Sequence, residues 1–291
     1  MTPVQLVWQA ITPVHVGTGQ DSSGVIDLPV AREAGTRYPC IPASSIKGVF
    51  RDGEDLDVPA GAGPLEITTA RRRFGHADVP ILQGDKVVKV SGIGDLTFTD
   101  ARLLCLPVPS FRGTYSLVTC PLVLQRLARD RTLLGLATDC EVPTVPDGGV
   151  LVTGDRLVFE KKVILNDLDF VCSRNTTLGE AWKVLTDGLQ PLQGSTERLC
   201  LVGDDVFGFL CETALEVTTH IRLKSDTKTV KEGGLWYQEN LPAETLLTSF
   251  LISAKDDFGV LTGRTWLQLG GKSTTGQGMM ALHVRTPGGA R

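Results

Sequence analysis

The chain has 291 residues, 42% hydrophobic, 21% charged and 6% aromatic, and 29 Lys+Arg against 33 Asp+Glu leave a net charge of −4. This is the balance of an ordinary globular protein, long enough for one large or two small domains, and it excludes a collagen-like, fully disordered or coiled-coil chain. Apolar runs such as Leu103-Leu104-Cys105-Leu106 fall far short of the ~18 residues of a membrane span, and the opening Met1-Thr2-Pro3-Val4-Gln5 lacks the basic-then-apolar order of a secretory signal, so a cytoplasmic protein without membrane contact is expected. The seven cysteines (Cys40, Cys105, Cys120, Cys140, Cys172, Cys200, Cys211) are widely spaced, form no C-x-x-C and lie away from the four histidines. Buried free thiols are expected rather than a zinc site. A mildly acidic chain does not coat nucleic acid by bulk charge, though a local basic track is compatible with it.

In chain order, Val4 to Ile11 alternates loosely and reads as a strand ending at Thr12-Pro13. Residues 16–24 are rich in turn formers and read as a loop. Val25 to Val30 is too short and Pro-interrupted for a central strand. Pro42 to Arg51 reads as a loop entering a helix, with Ser44 or Ser45 as N-cap and Ile46, Val49 and Phe50 on one apolar face. The Gly/Pro/acidic stretch 52–66 reads as an insertion expected to be mobile. Strand-like runs follow at 90–99 and 101–107, then an amphipathic helix from Pro121 to Arg131 with Arg126, Arg129 and Arg131 on its basic side. Further strands are expected at 150–153, 156–159, 162–165, 214–223 and 244–253, with a polar excursion over 224–240. A glycine-rich loop, Gly270 to Gly278, precedes a last strand from Met279 to Arg285. The pattern is that of an α+β chain with one antiparallel sheet and large inserted loops, and long loops in such a domain tend to carry function.

Three features carry chemistry. Gly270-Gly271-Lys272-Ser273 looks like the end of an ATP-binding phosphate loop, but that motif needs a glycine where Trp266 stands and a helix for which too little chain remains. What the loop retains is a backbone able to approach a polyanion, with Lys272, Ser273, Thr274 and Thr275 as donors; its bland reading is a flexible hairpin. Asp27, in a Pro- and Gly-flanked loop, is by default a turn residue. With His15 and Asp21 before it and Arg32 and Glu33 after it, it is also a candidate oxygen ligand or general acid/base. A single carboxylate would need phosphate and water to complete a Mg²⁺ shell. Finally, Arg71-Arg72-Arg73, Arg126/Arg129/Arg131, Lys161-Lys162 and Lys224/Lys228/Lys231, with Lys47 and Arg51, are either solvated surface or the lining of a groove that tracks a nucleic-acid backbone. No aromatic-rich ribonucleoprotein signature accompanies them.

Taken in order, Ile11-Thr12-Pro13-Val14-His15-Val16-Gly17-Thr18-Gly19, Ile26-Asp27-Leu28-Pro29-Val30-Ala31-Arg32-Glu33, Tyr38 to Arg51, Leu96 to Leu104, Val118 to Leu127, Gly233-Gly234-Leu235-Trp236-Tyr237-Gln238-Glu239 and the Gly270 to Gly278 loop resemble the repeat-associated mysterious protein (RAMP) superfamily of CRISPR effectors, in particular the repeating backbone subunit of the type III-B (Cmr) complex. The resemblance runs from about residue 6 to 285. The glycine loop is common to many RAMP proteins; the Ile-Asp-Leu-Pro-Val-x-Arg-Glu stretch is more specific.

The resemblance implies an RNA-recognition-like (ferredoxin-like) palm over about 4–51, 90–215 and 245–286, an insertion over about 52–89, and a thumb β-hairpin within about 217–245. It implies partners: guide RNA, target RNA, other Cmr-type subunits, and further copies of the chain stacked in a helical filament. The thumb would kink the guide–target duplex at about every sixth nucleotide, where each copy cuts the target by attack of the 2′-OH. The cleavage aspartate falls on Asp27, with Mg²⁺ or Mn²⁺ required, and His15 is a possible helper. RNA contacts fall on Ser44, Ser45, Lys47 and Arg51 and on Gly270, Gly271, Lys272, Ser273, Thr274, Gly276 and Gly278, reaching sugar and phosphate rather than bases. Ala43 stands where the family has glycine before the two serines. A RAMP subunit that only binds guide RNA and shapes the filament remains the alternative; a guide-processing ribonuclease would carry more histidines.

Overall fold

A computed structural model describes residues 1–17, 19, 25–54, 56–58, 62–136, 138–186, 192, 194–286 and 289–290 of the chain, those from 285 onward by backbone alone. The strands, in chain order, are β1 (Thr2–Ala10), β2 (Cys40–Ile41), β3 (His76–Gln83), β4 (Lys86–Gly92), β5 (Leu96–Phe98), β6 (Ala101–Ser110), β7 (Thr114–Thr119), β8 (Gly149–Val152), β9 (Lys162–Leu165), β10 (Leu168–Arg174), β11 (Leu199–Leu201), β12 (Glu216–Leu223), β13 (Val230–Asn240), β14 (Leu246–Ser253), β15 (Trp266–Gln268), β16 (Met279–Thr286) and β17 (Gly289–Ala290). The α-helices are α1 (Ala43–Arg51), α2 (Thr69–Phe74), α3 (Pro121–Leu133), α4 (Thr176–Leu185) and α5 (Asp204–Thr213).

β1 lies between β14 and β16 and pairs antiparallel with both. Val4 to Trp8 are all buried, which explains the loose alternation of the sequence: a strand covered on both faces has no polar side to show. The other edge of β14 takes β5 and the first half of β6, while the second half of β6 pairs with β7. From β7 the sheet continues through β11, β8 and β10 to β9, and Ser110 pairing with Leu165 brings β9 back to β6, closing this part into a ring. The β7–β11 and β8–β10 pairings are parallel, so the sheet is mixed rather than antiparallel throughout. Parallel pairing needs long crossovers, and the connection from β7 to β11 contains α3 and α4. Trp8, Ile46, Phe50, Leu104, Leu124, Leu201 and Phe207 belong to one continuous hydrophobic core. Among the described residues no helix is long and apolar enough to cross a membrane.

Local features differ from the sequence reading for physical reasons. α1 begins at Ala43, with Pro42 as N-cap and no side-chain cap from either serine; the Asp100 carboxylate accepts from the Ala43 amide instead, at 2.7 Å. The 52–89 stretch carries α2 and most of a β-hairpin, β3–β4, docked by a two-pronged Arg73–Asp257 ion pair. Residues 156–159 form no strand; Phe159 makes only an isolated bridge to Lys162. The polar stretch 224–240 is largely β13, paired antiparallel with β12 in the thumb-like hairpin. Polar composition concealed it because that hairpin stands away from the core: Ile221 and Leu235, opposite one another, are 52% and 51% exposed. All seven cysteines are free, and burial pushes the Cys40 thiol up to about 11 and those of Cys120 and Cys200 up to about 12, leaving them inert as nucleophiles at neutral pH.

Candidate active site and nucleic-acid interface

The root of the β12–β13 hairpin organises the site. β13 uses one edge for β12; its other edge receives the Asp27 segment, where Leu28 forms a parallel bridge to Gln238. The Leu28 amide donates to the Tyr237 carbonyl at 3.1 Å and the Glu239 amide donates to the Leu28 carbonyl at 2.9 Å. Asp27 Oδ2 accepts from the Tyr237 amide at 2.8 Å, which fixes the carboxylate against the hairpin; among the described residues Oδ1 has no hydrogen-bond partner.

Glu239 holds this segment from beneath. Its Oε2 accepts from the Val30 amide at 3.0 Å and its Oε1 from the Arg32 guanidinium at 2.7 Å, in an ion pair whose side chains are only 8% and 10% exposed. Arg32 also donates to the Arg37 and Cys211 carbonyls, so the buried charges are well partnered. Glu33, one residue on, accepts a two-pronged contact from Arg126 at 2.8 Å and lies 3.4 Å from Arg102. Burial pushes the Glu33 carboxyl up, but hydrogen bonds from Arg126 and Thr36 and the charges of Arg126 and Arg102 outweigh it and hold it below the usual value.

His15 comes to the same place. Its Nδ1 lies 2.7 Å from the Glu239 carbonyl oxygen and donates to it, which leaves the Nε2 lone pair available. The His15 carbonyl accepts from the Gly271 amide at 3.0 Å, and the Pro13 carbonyl from the Gly278 amide at 2.8 Å, binding the glycine loop to the same strand end. That loop joins β15 to β16, two antiparallel neighbours, and contains only a 3-10 turn at Ser273–Thr275, which removes any resemblance to an ATP-binding strand–loop–helix. Gly270 and Gly278 have φ of +84° and +83°, and a Cβ on them would overlap the His15 and Leu269 carbonyls, so the backbone demands glycine at both. Gly271, Ser273, Thr274 and Gly276 are exposed. Lys272 reaches the hairpin: its Nζ donates to His220 Nε2 at 2.8 Å and lies 5.6 Å from the centre of the Trp236 ring, on which His220 is stacked at 5.4 Å. Gln277 accepts from Gln238 at 3.0 Å, a second tie between loop and hairpin.

The structure therefore gathers Asp27, His15 and the glycine loop around one hairpin root. No hydrogen bond joins His15 to Asp27 among the described residues, and Asp21 lies outside those residues. Ser44, Ser45, Lys47 and Arg51 sit on α1, and no hydrogen bond or ion pair links them to the Asp27 segment or the glycine loop. Lys47 and Arg51 border a cleft of about 370 Å³ at the foot of the β3–β4 hairpin, with Phe74, Gly75, His76 and Gly92. Most of the arginines considered for a backbone-tracking groove are structural. Arg71 and Arg131 are buried, Arg72 donates to the Ile67 carbonyl and the Thr69 hydroxyl, Arg73 binds Asp257, and Arg126 and Arg129 bind Glu33 and Asp130. Sequence reasoning missed Glu239, His220, Trp236, Gln238 and Gln277 as site residues. The signal lay in β13, where even-numbered Trp236 and Gln238 share the face that meets the glycine loop.

Among the described residues no cluster of three or more His, Cys, Asp or Glu could hold a metal ion. A single carboxylate whose second oxygen has no partner among the described residues still suits Mg²⁺ or Mn²⁺, which commonly take one or two carboxylates and complete their shell with water and substrate phosphate.

The model of the RAMP superfamily matches residues 9–280. The chain is 30% identical to the CRISPR system Cmr endoribonuclease Cmr4 of Pyrococcus furiosus, across 94% of this chain and 93% of that protein. It is 25% identical to the CRISPR system CMR subunit Cmr4 of Saccharolobus solfataricus, across 94% of each. Among solved structures, oligomeric Cmr4 from Pyrococcus furiosus superposes with a TM-score of 0.70 at 22% identity, covering 99% of this chain and all of that one. A chain of the type III-B Cmr-beta complex bound to cognate target RNA also gives 0.70, at 20% identity over 98% of this chain and 97% of that one. With the family model spanning nearly its whole length and a relative at 30% identity matched almost end to end, the chain belongs to the RAMP superfamily and, within it, to the Cmr4 family.

Proposed function

We propose that this chain is a repeating backbone subunit of a type III-B (Cmr) effector complex that binds guide RNA and cleaves complementary target RNA. Copies stack along the guide into a helical filament with the other Cmr-type subunits, in the cytoplasm. The observation that carries the reading is Asp27: a carboxylate pinned by Oδ2 to the hairpin backbone, its Oδ1 without a partner among the described residues, at the same hairpin root as a glycine loop with exposed Gly271, Ser273, Thr274 and Gly276. The 30% identical relative, named an endoribonuclease, supports the catalytic half of it. The palm is read as RNA-recognition-like (ferredoxin-like): β16, β1, β14 and β6 lie side by side and mutually antiparallel, the spatial order fourth, first, third, second of that fold.

Cleavage proceeds by attack of a target 2′-OH on the adjacent phosphorus. The 2′-O–P bond forms, the P–O5′ bond breaks, the departing 5′ oxygen takes a proton from water, and the products are a 2′,3′-cyclic phosphate and a 5′-hydroxyl. Asp27 Oδ1 orients the attacking group and, with a target phosphate oxygen, would hold Mg²⁺ or Mn²⁺. When bound, the ion supplies Lewis-acid stabilisation of the charge that builds on phosphate. His15 Nε2, its tautomer set by the Glu239 carbonyl, accepts the 2′-OH proton. The thumb holds the kinked nucleotide in line, and sugar–phosphate contacts from Ser44, Ser45, Lys47, Arg51 and the Gly270–Gly278 loop leave the guide sequence free.

In the assembled complex, Asp27→Ala is expected to reduce cutting by about 10²-fold or more while leaving assembly and target binding intact. Wild-type cutting should recur at about six-nucleotide steps and stop on chelation of divalent ions. A wild-type complex that binds target and never cuts would leave a purely structural subunit.

A further inference from the structure

Lys272 and His220 come from different elements, the glycine loop and the hairpin, and meet nitrogen to nitrogen at 2.8 Å. Among the described residues no carboxylate contacts either of them. An ammonium group only donates, so His220 Nε2 accepts and the ring is neutral in this arrangement. The groups facing His220 are Lys272 from the glycine loop, His15 from the end of β1, and Thr218 and Trp236 from the hairpin itself. Burial and the charge of Lys272, joined by that of His15 in its protonated form, lower its affinity for a proton. The contact brings together components of an anion site: two nitrogens from different elements 2.8 Å apart, an aromatic face behind the imidazole able to stabilise imidazolium, and, among the described residues, no carboxylate on either.

We propose that Lys272 and His220 form a clamp for one phosphodiester of the RNA backbone, spanning palm and thumb, in which His220 takes up a proton as the phosphate enters. The phosphate accepts from both nitrogens and replaces their mutual contact. His220 changes from acceptor to donor, and the proton comes from solvent. Because the clamp joins the glycine loop to the hairpin, seating a phosphate also sets their separation. The inference rests on the reading that the chain binds RNA.

Linkage fixes the sign. The phosphate raises the proton affinity of His220, so RNA affinity climbs as pH falls through the bound-state value and levels off below the free-state value. The test is calorimetric titration of the full chain with single-stranded oligouridine at pH 6, 7 and 8, in buffers of different ionisation enthalpy. Expected for wild type are net proton uptake on binding and an affinity about tenfold higher at pH 6 than at pH 8. His220→Gln, which accepts from Lys272 but does not titrate, should still bind, with the uptake and the pH dependence abolished. Lys272→Gln should weaken binding at every pH and reduce the uptake. Wild-type binding without uptake, or undiminished uptake in His220→Gln, overturns the clamp alone. Absence of oligouridine binding by wild type at every pH overturns both the clamp and the RNA-binding reading.

Discussion

At the scale of single residues, Glu239 bears most on Asp27 without itself being exposed to substrate. It neutralises Arg32, caps the Val30 amide, and presents its own carbonyl to His15, so one residue fixes both the Asp27 loop and the His15 tautomer. Glu239→Ala would leave a buried guanidinium without its carboxylate and is expected to cost about 3–5 kcal/mol, read as a lowered midpoint in denaturant. Target cleavage should fall at least about tenfold although Asp27 is intact, because the carboxylate loses its fixed position. Glu33 provides a pH signature. Its folded-state carboxyl titrates below the unfolded value, so its contribution is complete above the unfolded value and is lost as pH falls through the folded one. Thermal unfolding midpoints measured from pH 7 down to pH 3 should show this loss in wild type and a flatter profile in Glu33→Gln. Asp27 became a candidate through its charged neighbours and the resemblance of Ile26 to Glu33, since its Pro- and Gly-flanked loop reads by default as a turn. Glu239 could not be picked out this way, because its partner Arg32 lies 207 residues away in the chain and only the fold brings them together.

At the scale of elements, the glycine loop and the hairpin differ in how openly the sequence announces them. The loop was visible because glycine is used where no other residue fits, and two of its glycines bear this out in opposite ways from a third. Gly270→Ala or Gly278→Ala must place a Cβ on a carbonyl at positive φ, and each is expected to lose about 1–3 kcal/mol of stability together with RNA affinity. At Gly271 a Cβ meets nothing within 4 Å, so Gly271→Ala should alter the unfolding midpoint little. Paired melting curves of the three variants check this. The hairpin strands were harder to read. β12 showed its alternation, but β13 contains two glycines and three charges, and its pairing with β12 rather than burial is what makes it a strand. α4 was not expected from the sequence, although Leu178, Ala181, Trp182 and Leu185 recur at helical spacing behind an Asn175 cap, a local signal that was overlooked.

At the scale of the whole molecule, the proposed function requires a net charge of −4 to coexist with a grip on a polyanion. Arg32, Arg73, Arg102, Arg126, Arg129, Arg156 and Arg174 are paired with carboxylates, so on the proposed reading the grip rests on a few local contacts, Lys272 among them. Guide-RNA affinity should therefore fall with salt in proportion to those few contacts. Lys272→Ala should make the plot of log affinity against log salt shallower by about 0.7, with little dependence on guide sequence, measured by filter binding across several unrelated guides. The mixed α/β class was legible from patterning, and a hairpin within 217–245 from the resemblance. The ring closed between β6 and β9 was not, because a single pairing between Ser110 and Leu165 makes it and nothing in either segment's composition encodes closure.

The seam between the Asp27 segment and β13 has a mechanical consequence. The Asp27 segment is sewn to the hairpin through Tyr237, Gln238 and Glu239. On the proposed function, any tilt of the hairpin when a target strand arrives would carry the carboxylate with it, so the blade would travel with the wedge.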